Sequence, residues 1–140
     1  MRFAMLGWAA IAALQIGAAQ AEETVFEPLP LLDLESVSPD FADDVFGSWT
    51  ISDSSGEKTC EVKLERGATI GGMQIEVGAG CAQAFPVMAD ITAWRLLEGW
   101  VIDLADAERK TRVRFSTPDE RYVAIPEVDG IATIEPVPLD

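Results

Sequence analysis

Apolar and polar residues alternate along most of the chain from Ser48 onward, in short segments separated by Gly, Pro, Asp or Ser. Cys60, Val62 and Leu64, for example, alternate with three charged residues. A period of two is typical of β-strands that bury one face and expose the other. The pattern therefore predicts about eight short strands at even spacing.

Short connections between these segments require neighbouring strands to be antiparallel, and about eight such strands close into an up-and-down barrel. The predicted fold class is all-β: an eight-stranded antiparallel barrel with a short N-terminal helix and an extended N-terminal arm. A β-sandwich is the alternative. The predicted inward-facing residues are bulky enough to fill a small barrel: Trp49, Ile51, Val62, Leu64, Ile75, Trp94, Ile102, Val113 and Phe115.

The segment before the strands contains a helix start. Ser38 suits the N-cap, Pro39 the first helical position and Asp40 the positive helix end. One or two turns are predicted, with Phe41 and Val45 on one face and termination by Gly47 in a left-handed conformation.

The first 37 residues divide into two segments. Residues 1–21 have a basic residue, an apolar run and Ala19-Gln20-Ala21, which together indicate a cleaved secretory signal peptide. Residues 22–37 contain Pro28 and Pro30, which favour an extended arm over a helix. That arm is too apolar for an inert linker, so it either packs on the domain at 38–140 or contacts a partner. The expected location is periplasmic or secreted.

Turn signals complete the pattern. Gly71-Gly72 and Gly78-Ala79-Gly80 are predicted to be hairpin turns rather than phosphate loops, because no Gly-Lys-Ser/Thr signature follows them. Asp129-Gly130 predicts a type I′ hairpin. Residues 82–90 are expected to form a loop with a helical turn.

Cysteine and histidine content limits the chemistry. Two cysteines in an exported chain predict one disulfide, Cys60–Cys81. The sequence has no histidine, which excludes Ser-His-Asp and Cys-His catalysis and His-ligated zinc. We therefore expect no catalytic residue, no cofactor and no metal site, and a protein that is not an enzyme.

The charge of the chain disfavours some classes of partner, and one basic segment has two interpretations. The formal net charge of −14 disfavours nucleic acid and anionic lipid. The acidic residues Asp40, Asp43 and Asp44 lack the spacing of a calcium loop and are interpreted as a solvated helix face. The basic residues Arg109, Lys110, Arg112 and Arg114 have two interpretations. They are either one strand face balanced by acidic neighbours or a docking patch for an acidic partner.

The order and spacing of several landmarks resemble the AprI/Inh family of bacterial metalloprotease inhibitors, which are small periplasmic eight-stranded barrels. The resemblance runs from about Ser38 to Tyr122. Its landmarks are the short helix leading into Gly47-Ser48-Trp49, Cys60, Cys81 after a Gly-rich turn, Trp94-Arg95, Gly99, the approach from Asp103 to Asp106, Phe115 and Tyr122.

The resemblance implies a protease inhibitor whose N-terminal arm inserts into the active-site cleft of a serralysin-type zinc protease. The arm's free α-amine approaches the catalytic zinc in that family, and cleavage after Ala21 would create such an amine on Glu22. The protease-contacting residues implied are Glu22, Glu23, Thr24, Val25 and Phe26. The arm departs from the family pattern in length, since sixteen residues precede the helix start where the family has only a few.

Three functions follow from these observations. The first is an exported protease inhibitor, a monomer whose partner is a secreted or periplasmic protease and which does not enter the membrane after signal cleavage. The second is a structural or adaptor protein of the cell envelope. The third is a lipocalin-like ligand-binding barrel, which the bulky inward residues disfavour.

Overall fold

A computed structural model describes residues Thr24–Pro138, and within that part the chain forms eight strands in a closed antiparallel barrel. The predicted fold class is confirmed. The strands are β1 Gly47–Ser52, β2 Thr59–Thr69, β3 Gly72–Val77, β4 Ile91–Leu97, β5 Val101–Asp106, β6 Thr111–Ser116, β7 Tyr122–Val128 and β8 Ile131–Pro136. The predicted signal peptide and Glu22-Glu23 lie outside the described residues.

Each strand pairs with its neighbours in sequence, and β1 closes the barrel against β8. Ile51 illustrates the closure, because it lies opposite Cys60 of β2 on one side and Ile134 of β8 on the other. Closure pairs each strand with a neighbour on both sides, so backbone groups of adjacent strands bond one another.

The barrel interior is filled with large apolar side chains. Eight of the nine predicted inward residues are buried, and the ninth, Ile75, is half-buried against the same core. A solid interior is the packing that bulky alternating residues predict. It places any contact with a partner on the outer surface.

The connection between β3 and β4 also contributes to the core. It contains α2 Cys81–Ala84 and a 3₁₀ helix at Pro86–Asp90, which confirms the predicted helical turn. Phe85 is fully buried and Met88 is 1% exposed, so this segment packs into the core cluster rather than forming a surface loop.

The N-terminal helix α1 spans Pro39–Asp43, with Pro39 in the first turn as predicted. The Ser38 side chain makes no capping hydrogen bond, so that part of the prediction was wrong; the Ser38 carbonyl oxygen accepts from the N–H of Phe41 and Ala42 instead. The helix ends before Val45, and Gly47 takes a positive φ of 126° as the first residue of β1.

The predicted turns are partly confirmed. Asp129 and Gly130 both have positive φ, as a type I′ hairpin requires, and Gly71 lies between β2 and β3. The segment from Gly78 to Gly80 is not a hairpin turn, because it leads into α2 with Gly80 at the N-cap. The alternation of Ile102 and Leu104 with polar or small residues extends back to Trp100 in sequence, but Trp100 lies in the turn before β5 with a φ of 62°.

The predicted disulfide is confirmed: Cys60 of β2 bonds to Cys81 at the start of α2, with the two Cα atoms 5.0 Å apart. It joins the barrel wall to the segment that carries Phe85 into the core. Of the described residues, none belongs to a helix long and apolar enough to cross a membrane.

Candidate functional site

The N-terminal arm is anchored to β4 by backbone hydrogen bonds. Leu31 forms an antiparallel bridge with Leu97. The Leu32 N–H donates to the Leu96 carbonyl oxygen at 3.0 Å, and the Glu98 N–H donates to the Pro30 carbonyl oxygen at 2.8 Å. The arm therefore continues the sheet beside the end of β4 and is fixed to the barrel from Pro30 onward.

Side chains after the anchor strengthen this attachment. Leu32 and Leu34 are half-buried and pack against the core cluster. A 3₁₀ turn follows at Leu34–Ser36, where the Asp33 side chain accepts from the Glu35 N–H at 3.0 Å. The second half of the arm thus packs on the barrel, which was one of the two outcomes left open by the sequence.

The outer face of the barrel beside the arm contains a buried ion pair. Asp103 and Arg114 are opposite each other on β5 and β6 and alternate with inward-facing residues, so both point outward. The guanidinium donates to the carboxylate through two bonds, Nε to Oδ1 at 2.7 Å and an Nη to Oδ2 at 2.9 Å. The side chains are only 1% and 11% exposed.

Neighbouring groups complete this polar cluster. The Thr111 hydroxyl donates to Asp103 Oδ2 at 2.8 Å, and the Arg95 guanidinium donates to the carbonyl oxygens of Gly71 and Arg109. Within the part of the chain that the structure describes, no buried side-chain nitrogen or oxygen lacks a hydrogen-bond partner. The cluster is therefore a satisfied network, which is the condition under which buried charge is tolerated.

A cleft of about 800 Å³ separates the first half of the arm from this face. The arm supplies one wall, and the Phe26 ring lies 5.3 Å from the Arg114 guanidinium carbon. The residues lining the cleft include the predicted arm residues Thr24, Val25 and Phe26 and the four predicted basic residues Arg109, Lys110, Arg112 and Arg114. The structure thus brings two separately predicted features together.

Three of the four predicted basic residues lie close to acidic side chains. Arg112 lies 3.3 Å from Asp90 and 3.4 Å from Asp106, and Lys110 lies 3.6 Å from Glu108. With Arg114 paired to Asp103, these contacts agree with the interpretation of a strand face balanced by acidic neighbours. The acidic helix residue Asp43 is likewise exposed and paired with Arg66.

The first half of the arm exposes apolar surface. Val25 is 89% exposed and Leu29 36%, and Leu31 in the adjoining anchor is 66% exposed. Apolar side chains grouped on one exposed segment are typical of a surface that contacts another protein. The arm is therefore a candidate surface for a protein contact.

Sequence reasoning missed Asp103 as part of this site. Its signal was present, since a carboxylate lies between Ile102 and Leu104 in the middle of a largely apolar strand. The register that places it opposite Arg114 depends on strand pairing, which the sequence pattern does not specify to the residue.

The chemistry of the described residues is limited in three respects. Both cysteines are in the disulfide, the sequence has no histidine, and between Thr24 and Pro138 no group of Cys, Asp and Glu side chains is arranged to hold a metal ion. The described chain is thus a packed barrel with an anchored arm that exposes apolar side chains.

The comparison with protein families identifies the class of protein. Residues 40–134 match the family model described as "Protease inhibitor Inh". The match covers 95 of the 140 residues, and the chain belongs to this family. No curated protein sequence is a significant match. The resemblance seen in the sequence is confirmed, and family membership supports inhibition of a protease over catalysis.

Proposed function

We propose that the protein inhibits a zinc metalloprotease by inserting the first residues of its arm into the active-site cleft, with the barrel as the platform. The observation that carries the proposal is the anchor at Pro30–Leu32, ahead of which the arm exposes Val25 and Leu29. Family membership supports the inhibitory role, and the arm precedes the matched residues 40–134.

The anchor shortens the part of the arm that is free of the barrel. The arm at 22–37 has sixteen residues, but the anchor begins at Pro30, so eight arm residues from Glu22 to Leu29 lie ahead of it. Extended, eight residues span roughly 26–29 Å. That length can reach into an active-site cleft while ordering fewer residues than a free sixteen-residue arm, which lowers the entropy cost of binding.

Insertion requires residues 24–29 to leave the cleft beside β4–β6. The contact from Phe26 to Arg114 is a cation–π contact at 5.3 Å, of a kind that stabilises by about 0.5–2 kcal/mol. Separation therefore costs little, whereas the backbone bonds of the anchor remain. In this proposal, the residues ahead of Pro30 move relative to the barrel, and the anchor at Pro30–Leu32 stays in place.

The free amine is the proposed zinc-directed group. Cleavage after Ala21 creates an α-amine on Glu22, and such amines have a pKa of about 7.7–8.0, so the target's zinc can deprotonate and bind one near neutral pH. Glu22 and Glu23 follow as residues close to that zinc. This step depends on export and cleavage, and the Cys60–Cys81 disulfide fits the oxidising compartment that export would provide.

The test compares residues 22–140 with a form that begins at Pro30, using the inhibition constant against a serralysin-type zinc protease and a serine protease. We expect the truncated form to lose at least about 100-fold for the zinc protease, equal to about 2.7 kcal/mol. Its barrel should still fold, because the anchor and core are retained. Equal inhibition by both forms would exclude the arm mechanism.

Two finer variants separate contact from metal binding. Val25→Ser should weaken inhibition, whereas Ile70→Ser, at a site 64% exposed on the barrel, should not. Adding Gly-Ser ahead of Glu22 displaces the amine and should weaken inhibition of the zinc protease. If no protease is inhibited by any form, the adaptor function replaces the inhibitor function.

The proposed location and state are a periplasmic or secreted monomer. N-terminal sequencing of the protein recovered from the periplasm or medium should give Glu22. A cytoplasmic protein that retains residues 1–21 would contradict both the location and the amine-directed step.

A further inference from the structure

A second pocket, with no arm residue in its lining, lies between α1 and the turns that precede β5 and β7. Its volume is about 310 Å³. Its lining residues include four aromatic ones and two acidic ones: Phe41, Trp49, Trp100, Tyr122, Asp44 and Glu120. It therefore combines π faces with negative charge.

The aromatic rings are held in place. The Trp49 indole N–H donates to the Val45 carbonyl oxygen at 2.8 Å, and the Trp49 and Tyr122 rings meet edge to face with centroids 5.5 Å apart. Burial raises the pKa of Tyr122, so its phenol is neutral at physiological pH. These two rings form a rigid, uncharged floor.

Trp100 and Glu120 occupy the pocket in unfavourable backbone conformations. Their φ angles are 62° and 75°. The left-handed region is sterically costly for a bulky residue such as Trp and is usually taken by Gly, Asn or Asp. The turn keeps an indole where a small residue would fit the backbone better.

The charge around this pocket selects its ligand. Asp44 and Glu120 are exposed, and the lining contains no lysine or arginine. Guanidinium and ammonium groups bind both to aromatic faces and to carboxylates. Arginine fits better than lysine because its planar group also stacks on rings. The pocket volume suits one such side chain, and anionic ligands would be repelled.

We propose that this pocket binds an arginine side chain presented by a protein partner. Phe41, which is 64% exposed, and Trp100 supply the ring faces, and Asp44 and Glu120 supply the counter-charge. The inference goes beyond the proposed function, because it assigns a second contact surface that does not depend on the arm.

The test is an NMR titration of the ¹⁵N-labelled protein with N-acetyl-L-arginine amide, with the citrulline analogue as the control of equal shape and no charge. We expect saturable shifts at the Trp100 indole and the backbone of Phe41 and Tyr122. Citrulline should bind at least about tenfold more weakly. Equal binding of the two compounds, or shifts elsewhere on the barrel, would overturn the proposal.

Matched variants check the carboxylates. Asp44→Asn with Glu120→Gln should raise the dissociation constant about tenfold, from two exposed charge contacts each contributing a few-fold. Glu57→Gln with Glu127→Gln makes the same change in net charge at exposed sites outside the pocket and should bind like the unaltered protein. Identical constants for the two double variants would contradict the pocket.

Trp100→Gly provides a further readout. Glycine adopts a φ of 62° without steric cost, so the backbone of the turn is retained while the ring is removed. Arginine binding should fall at least about fivefold in a protein that remains folded by its NMR spectrum. Undiminished binding would show that the indole is not part of the site. No protease is used in these tests, so they do not depend on the inhibitory function.

Discussion

Asp103 lies on the outer face of a barrel, yet its carboxylate is only 1% exposed. A buried charge is stable only when it is paired and fully hydrogen-bonded, and Arg114 and Thr111 meet that condition. The pair is therefore structural, and removing one partner leaves the other charge without compensation.

Arg114→Met should lower the free energy of unfolding by about 3–5 kcal/mol, because Asp103 then remains buried and unpaired. Lys63→Gln, whose contact with Glu65 is exposed on both sides, should cost about 0–1 kcal/mol. Urea unfolding monitored by tryptophan fluorescence measures both. A loss below about 1 kcal/mol for Arg114→Met would show that the pair is not a structural requirement.

Gly72 lies where any side chain would clash with the backbone of the neighbouring strand. A Cβ atom there would lie 2.3 Å from the Trp94 carbonyl oxygen, and its φ is 156°. The neighbour is backbone of β4, so it cannot rotate away as a side chain would. The close approach of β3 to β4 depends on glycine at this position.

Gly72→Ala should therefore destabilise the barrel by about 2–4 kcal/mol, through backbone displacement and strain. Gly80→Ala is the matched control, since its φ is −88° and nothing lies within 4 Å of the added Cβ atom. That control should change stability by less than about 0.5 kcal/mol. Thermal unfolding of the two variants, measured side by side, compares the stability that each one loses.

At the scale of elements, the turn between β5 and β6 is organised by one carboxylate. Asp106 Oδ1 accepts from the N–H of Glu108 at 2.9 Å and of Lys110 at 3.0 Å. Burial alone would raise the pKa of Asp106. The two N–H donors and Arg112 outweigh that effect and hold its pKa below the ordinary value. The turn is thus stabilised by the ionised form.

A group whose pKa is lower when folded contributes stability above its ordinary pKa and loses it as pH falls through the folded value. The stability difference between the unaltered protein and Asp106→Asn should therefore be constant from pH 7 to 5 and shrink below about pH 4. Urea unfolding at a series of pH values measures this difference. A gap that widens on acidification would contradict the assignment.

The strands were predictable because alternation reports directly which face is buried. The sequence pattern did not predict residues whose conformation depends on distant partners. Trp100 continues the alternation of β5 in sequence, but the turn places it at positive φ. The bridge between Leu31 and Leu97 could not be predicted for the same reason, because a single bridge produces no periodic pattern in the sequence.

At the scale of the whole molecule, the Cys60–Cys81 disulfide closes a loop of 21 residues in sequence separation. Closing such a loop restricts the unfolded chain and stabilises the fold by about 3 kcal/mol in the chain-entropy model. That is a large share of the stability of a small domain.

Replacing both cysteines by alanine should lower the free energy of unfolding by about 3 kcal/mol and leave the barrel folded at low temperature. Equilibrium unfolding of this variant, compared with the oxidised protein at the same pH, measures the loss. A loss under about 1 kcal/mol would mean that the core alone determines stability.

The candidate site was predictable in its parts and not in its assembly. The arm residues and the basic stretch both appear in the sequence, but their meeting in one cleft depends on where the arm is anchored. Nothing in the sequence links Phe41 with Trp100 either, because the two residues come to line one pocket only in the folded barrel.

The anchor at Pro30–Leu32 has a consequence for engineering. Its hydrogen bonds join main-chain groups, so they do not depend on the side chains that precede them. Residues 22–29 can therefore be exchanged for other peptides that leave the barrel from the same place. Under the proposed arm mechanism, a library randomised over these eight positions and selected against different proteases would yield inhibitors with new specificities.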